Sequence, residues 1–226
     1  MLARLAYLLG RLTAPIAFAT RARTARHLFR FALAEHESML ELRAAAARTP
    51  SPSRRALYLR HALDEERHAT AFSLHSAEIR RTMGLSSYGP PRTGCEALFE
   101  RLGEQAFLAF VHLGEQRGRA QFEAYIAFFE GRGNDKLRAL FAALVGDERQ
   151  HESYTRALLL EQAGSEGGAR SSLRRMAFWE GLSRWRRAGQ GLTRFVYAAS
   201  MLLLYLSLMP FALVVRLSRP ARGWRT

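Results

Sequence analysis

Two stretches of this chain place a glutamate and a histidine three residues apart, each behind an aspartate: Asp64-Glu65-Glu66-Arg67-His68 and Asp147-Glu148-Arg149-Gln150-His151. On a helix that spacing puts Glu and His on one face a turn apart, within reach of the same metal ion. With seven histidines in 226 residues, chance supplies roughly half of one such match, so the pair says more than either member. Each motif also has a glutamate on the helical stretch before it. Glu35 lies 30 residues ahead of Glu65, and Glu115 lies 33 ahead of Glu148. Four buried carboxylates would repel one another and be costly to desolvate. Two divalent ions would cancel their four charges. An oxygen-rich donor set with one imidazole per ion suits iron or manganese rather than zinc. Glu35, Glu65, His68, Glu115, Glu148 and His151 are therefore the candidate metal-binding and catalytic residues, with two Fe ions, or Mn, as the expected cofactor. The competing reading makes them surface partners of the many arginines. It fits poorly with Glu35 and Glu115, which sit in apolar stripes.

Around these six stand residues suited to supporting roles. Asp64 and Asp147 each precede a ligand glutamate, where a carboxylate can accept a hydrogen bond from the outer nitrogen of a ligating histidine and fix its tautomer. A solvent-facing helix charge is the plainer alternative. His61 lies one turn before Glu65 and His112 one turn before Glu115, so each is an extra ligand, a proton relay or simply a satisfied histidine. The same alternatives hold for His75.

The elements that must position these groups are helices. Apolar residues recur at spacings of three and four, prolines cluster, and no strand-like alternation with hairpin turns occurs. The first long pattern, about 24–48, sets Leu28, Ala32, Glu35, Met39 and Leu42 on one face, with Glu37 and Glu41 on the other side. Pro50-Ser51-Pro52-Ser53 ends it and caps a second helix to about 81, whose face carries Leu57, His61, Glu65, His68 and Phe72. From Met83 to Cys95 runs a turn-rich connector that reaches ~40 Å when extended, enough to return along a helix of ~30 Å. A third helix, about 96–130, and a fourth, about 135–162, complete an all-α, antiparallel four-helix bundle with a long crossover between its second and third helices.

The flanks are basic and apolar. Net charge is +14, Lys136 is the only lysine, and the arginines concentrate before Glu35 and after Gly164. Such charge suits phosphates of nucleic acid or anionic lipid, but no reading helix or base-stacking motif accompanies it, so nucleic acid is not expected as a partner. Cys95 is alone, which excludes an intrachain disulfide, a zinc ribbon or a four-cysteine iron site within this sequence. Residues 1–22 form a basic, apolar segment interrupted by Arg4 and Arg11, an amphipathic helix rather than a secretory signal. Residues 23–163 hold the bundle, and 164–194 form a basic amphipathic linker helix with Trp179 and Trp185. Residues 195–216 contain an uncharged stretch of 21 residues between Arg194 and Arg216, long enough to span a bilayer of ~30 Å. A buried core helix is the other reading. Residues 217–226 are a basic tail. Arginines before the apolar stretch place the bundle on the cytoplasmic side of an inner membrane.

Between Thr24 and Gln162 the sequence resembles the ferritin-like di-iron carboxylate superfamily in its pattern Glu35, Glu65/His68, Glu115, Glu148/His151. Asp64–His68 looks like the motif of di-iron monooxygenases and acyl desaturases, and Glu65–Phe72 (EERHATAF) is similar to rubrerythrin-like proteins. Two histidines resemble the oxygen-activating enzymes and rubrerythrins more than ferritins. Compact relatives of that superfamily include demethoxyubiquinone hydroxylases and aldehyde-deformylating oxygenases. The chain departs from a rubrerythrin at Gly118-Arg119, where an additional glutamate is usual, and in lacking a cysteine-rich electron-transfer domain. The resemblance implies an oxidoreductase that activates O2 and hydroxylates or desaturates a lipid or quinone-like substrate, with a separate electron-donor protein and the membrane as partners. Self-association as a homodimer is left open. The alternatives are a ferroxidase or peroxide-scavenging protein, and a non-catalytic membrane subunit that retains the bundle as a scaffold.

Overall fold

The computed structural model describes residues 2–217, and every regular element among them is helical. In chain order these are α1 (Leu2–Ala17), α2 (Arg21–Arg48), α3 (Pro52–Arg81), α4 (Leu98–Leu102), α5 (Glu104–Phe129), α6 (Asp135–Ala163) and α7 (Glu166–Leu217). They fall into two compact units, one ending at Ala177 and the other starting at Phe178.

Short, well-capped turns dictate the pairing of the long helices in the first unit. The Ser51 hydroxyl caps α3 by accepting from the Arg54 N–H, and Pro52 occupies the first turn, where its missing N–H costs nothing. Only residues 49–51 separate α2 from α3, and 130–134 separate α5 from α6. Contacting helices joined so tightly must run antiparallel. The two hairpins are connected by residues 82–97, which follow α2 from its start towards its end. Tyr88 stacks on Phe29 at 4.8 Å and lies beneath the Arg80 guanidinium at 4.0 Å. Farther along, His36 Nδ1 meets the Thr93 hydroxyl at 2.7 Å. The crossover delivers the chain to the end of the bundle where α3 begins. There Glu104 accepts from Thr49 at 3.0 Å and from Tyr58 at 2.9 Å. The helix α5 therefore runs parallel to α3 and antiparallel to α2.

Two expectations from the pattern need correction. The third helix does not run unbroken from about residue 96. Gly103 adopts a φ of 77°, a conformation that favours glycine, and splits a short α4 from α5. Glu41, expected on the outer side of its helix with Glu37, is 5% exposed. Its carboxylate accepts the backbone N–H groups of Glu96 and, at 2.7 Å, of Leu98. A buried acid is tolerated here because it satisfies two otherwise orphaned donors at the end of the crossover.

The core forms two apolar layers. One gathers Leu42, Tyr58, Phe107, Leu108 and Leu159 near the start of α3, together with Ala169 and Met176 from the first turns of α7. The other gathers Leu28, Phe72, Phe122, Tyr125 and Phe141 towards the opposite end, and Ala14 of α1 packs into it. The buried carboxylates Glu65, Glu115 and Glu148 belong to neither layer. The N-terminal amphipathic segment thus lies on the bundle through Gly10 and Ala14, with Leu5, Leu8, Leu12 and Ile16 exposed.

The linker and the apolar stretch, read from sequence as separate helices, form one continuous helix, α7, with Pro210 inside it. Residues Gly189–Phe211, mean hydropathy 1.5, are long and apolar enough to cross a membrane by length and composition. The basic tail from residue 218 lies outside the described residues.

Replacing Glu41 by Ala removes the acceptor of two backbone donors, and a buried unpaired donor costs about 1–3 kcal/mol. Urea denaturation of E41A is expected to show a loss of that size. Amide exchange should accelerate at residues 96–98 and leave the centre of α3 and α6 protected.

Candidate metal centre

The helices α3 and α6 face one another in antiparallel register, and that register decides which groups meet. Along α3, His61, Glu65 and His68 follow at spacings of four and three and share the inward face, with Asp64 on its edge. Along α6, Glu148 and His151 do the same, with Asp147 on the edge. Because the helices run oppositely, each histidine reaches the aspartate of the other motif. His68 Nε2 lies 3.1 Å from Asp147 Oδ2, and His151 Nε2 lies 3.1 Å from Asp64 Oδ2. Arg67 bridges the two acids at the rim, 2.6 Å from Asp64 and 3.6 Å from Asp147. The aspartates therefore hold the proton of each imidazole on Nε2 and turn Nδ1 inward.

Those inward nitrogens face carboxylates. His68 Nδ1 lies 3.6 Å from Glu148 Oε1, and His151 Nδ1 lies 3.6 Å from both Glu65 Oε1 and Glu115 Oε2. Both Nδ1 atoms and Glu65 Oε2 are buried without a hydrogen-bond partner. Three acceptors aimed at a common space, with no donor among them, are costly unless a proton or a cation sits between them. Among the described residues, two sets have ligand atoms within 4.8 Å of one another: His61, Glu65, Glu115 and His151, and Glu35, Glu65 and His68. Glu65 belongs to both. This buried His/Glu cluster could hold a metal ion at either position.

The six sequence-derived ligand candidates are thus brought together, with Glu148 joining through His68. Glu35 is half-buried because it borders a cavity; the other five are buried. Of the two histidines weighed alike from sequence, only His61 reaches the centre. Its Nε2 lies 2.8 Å from Glu65 Oε1, and its Nδ1 lies 2.5 Å from the Tyr154 hydroxyl. His112 turns away. Its Nδ1 meets the Glu152 carbonyl oxygen at 3.1 Å and the Thr155 hydroxyl at 3.2 Å, and its Nε2 meets Gln116. Tyr154, which the sequence reading did not single out, follows His151 by three residues, so the same helical spacing identifies it.

Electrostatics follow from crowding. Burial pushes the Glu65 carboxyl well above its usual range, and the neighbouring Glu35 and Glu115 add to the rise. Burial, with Glu115 beside it, does the same to Glu148. Glu35 is raised chiefly by burial. Glu115 departs from this trend. Burial alone would raise it, but His61, His151 and a hydrogen bond from Glu148 bring it well below the usual range. Glu65 and Glu148 therefore hold a proton more tightly than an ordinary carboxyl, and Glu115 less tightly. His61 is lowered by burial, whereas His151 overcomes burial through Glu115 and Asp64 and is raised.

A cavity of about 380 Å³ opens between α2 and α5 and ends on Glu35, Glu65, Glu115 and Glu148. Phe31, Leu42, Phe107, Phe110, Val111 and Phe122 line its walls. Gly118 stands where a Cβ would come 3.5 Å from Glu148 Oε2, so the α5 backbone itself forms the floor beside that carboxylate. No known family model, curated protein or solved structure matches the chain.

The pKa pattern fixes the sign of a pH effect. Glu35, Glu65 and Glu148 are raised on folding, so they add stability below the carboxyl value of 4.5 and lose it as pH rises through their folded values. Glu115, depressed, works the other way, with its contribution lost only as pH falls below that range. Buried histidines that are lowered on folding, His27 and His61 among them, pull the other way, so the contribution of the two acids is read as a difference between proteins. As pH rises from the carboxyl range towards neutrality, the metal-free wild type should lose melting temperature relative to an E65Q/E148Q double variant, which lacks both raised carboxyls.

Proposed function

We propose that this chain is a ferritin-like di-iron carboxylate oxidoreductase, anchored at the inner membrane with its bundle on the cytoplasmic side, that activates O2 to oxidise a lipophilic substrate. The observation that carries this reading is the pair of crossed His–Asp contacts, which aim two unpartnered Nδ1 atoms into a nest of four carboxylates at the foot of an apolar cavity. The connection order supports the ferritin-like assignment, since two antiparallel hairpins joined by a long crossover are the form that superfamily takes.

Glu35, Glu65, His68, Glu115, Glu148 and His151 would hold two ions, with Glu65 shared between them. The donor chemistry fits, because oxygen-rich sites with one imidazole per ion favour iron or manganese. Iron bound there supplies the redox equivalents for reducing O2 and oxidising an organic molecule. The chain's own residues do the rest. Asp64 and Asp147 orient the imidazoles, and the phenylalanines of the cavity exclude water and receive an apolar substrate. Protons on Glu65 and Glu148 are displaced when cations bind, so metal uptake is coupled to proton release.

Membrane attachment rests on Gly189–Phe211, whose described side chains include exposed Phe195, Tyr197, Leu203, Tyr205 and Phe211. A lipid or quinone-like molecule would enter from the bilayer. A separate electron-donor protein would supply the electrons.

Purified protein loaded with iron anaerobically and then exposed to O2 should retain about two irons per chain and show the absorption and Mössbauer spectra of an antiferromagnetically coupled pair. Glu65→Ala should lose both ions. A mononuclear or empty site would overturn the reading, and fast turnover of Fe(II) or peroxide without organic substrate would redirect it to a ferroxidase or peroxidase. Truncation before Gly189 should move the protein from the membrane pellet to the soluble fraction with its metal content intact.

A further inference from the structure

The two halves of the centre obey a near-twofold correspondence. Asp64, Glu65 and His68 on α3 match Asp147, Glu148 and His151 on α6, and Glu35 matches Glu115. One turn before each Glu-x-x-His the correspondence fails, because α3 has His61 where α6 has Leu144. Leu144 packs in the apolar layer next to the centre. The bundle therefore has no general need for a polar side chain at that position, yet His61 is almost wholly buried there, at 1% exposure.

His61 is built into the centre as the other two imidazoles are. Each of the three presents one ring nitrogen to the carboxylates and has the other held from the opposite helix. Asp147 of α6 holds His68, Asp64 of α3 holds His151, and Tyr154 of α6 holds His61. Held outer nitrogens of this kind are what metal-binding histidines have. The inward atom also has the spacing of a ligand. His61 Nε2 stands 2.8 Å from Glu65 Oε1 and 3.4 Å from Glu115 Oε1. Two donors at right angles on one ion, each ~2.1 Å from it, are about 3 Å apart. The His61 ring lies over that of His151, with centroids 3.6 Å apart and planes 26° from parallel, so both imidazoles address the same side of the centre.

We propose that His61 is a seventh metal ligand, which makes the two ion positions unequal: one served by His61, His151, Glu65 and Glu115, the other by His68, Glu35, Glu148 and the shared Glu65. The proposal rests on the two-ion reading of the centre and goes beyond it. Without an ion, Nε2–H donates to Glu65 and the Tyr154 hydroxyl donates to Nδ1. Binding through Nε2 needs the other neutral tautomer, in which Nδ1–H donates to the Tyr154 oxygen. The position with two imidazoles should fill first, because added nitrogen donors strengthen binding of first-row divalent ions over carboxylates alone.

The test titrates Mn(II) into metal-free wild type, H61Q and Y154F under anaerobic conditions, with binding followed by EPR. Pulsed EPR on protein labelled with 15N-histidine counts the imidazoles on the first ion. Wild type should bind two ions in separable steps, with two imidazoles on the first. Glutamine at 61 keeps a hydrogen-bond donor for Glu65 but is a poor ligand, so H61Q should weaken the first step by about tenfold or more and lower the count to one. Y154F should weaken the same step by less. Two unchanged steps in H61Q, or one imidazole on the first ion of wild type, would overturn the seventh ligand and leave the two-ion centre standing. A wild type that binds no Mn(II) would overturn both. Should H61Q fail to fold, the nitrogen count on wild type alone decides.

Discussion

Four carboxylates share a small volume between two apolar layers, and the rest of the first unit is arranged around that burden. Unneutralised, they could not stay there together, since the cost of stripping water from each adds to their mutual repulsion. The metal-free protein meets the difficulty with protons. Burial and crowding raise Glu65 and Glu148, and His61 and His151 bring Glu115 down against its own burial. That arrangement is a partial solution, because both inward Nδ1 atoms and one Glu65 oxygen still find no donor. A metal ion, which this buried His/Glu cluster could hold, is the kind of group that such inward-facing acceptors can share.

The same burden explains the topology. Carboxylates placed on four helices can converge only if every helix presents the right turn at the same height, and two hairpins with three- and five-residue turns leave little freedom to slide. The crossover sets the remaining register, that of one hairpin against the other. Its anchors on α2, from Phe29 through His36 to Glu41, occupy the helix that also carries Glu35. Between α2 and α5 the cavity takes the place of tight packing, so access to the carboxylates comes from the side opposite the crossed His–Asp pairs.

How far this was legible in the sequence depended on whether a feature was local. The Glu-x-x-His spacing and the apolar stripes holding Glu35 and Glu115 are readable because helical periodicity alone places them. His61 and His112 could not be told apart that way, since each stands one turn before a glutamate. They differ in what α6 offers opposite: Tyr154 and the centre for His61, the Glu152 carbonyl and Thr155 for His112. Glu41 departs from its helical pattern for a related reason. Its outer face is solvent on an isolated helix, and only the returning crossover buries it. The break at Gly103 rests on one residue's positive φ within a pattern that otherwise reads as helix.

The crossed pairing gives α3 and α6 a dependence on each other that four carboxylates alone would not require. Each imidazole is a ligand candidate on one helix and is aimed by an acid on the other, so neither motif is complete by itself. A slip of one residue would rotate one helix by about 100° and remove both His–Asp contacts together. Arg67 reinforces the coupling, because its single guanidinium reaches Asp64 on its own helix and Asp147 across the gap. At the rim, with Arg67 well exposed, that pair of contacts adds little to stability; its effect is to hold two acids of like charge close enough to serve two histidines. The near-twofold plan thus fixes orientation at both ends, and His61 is the place where the plan departs from symmetry.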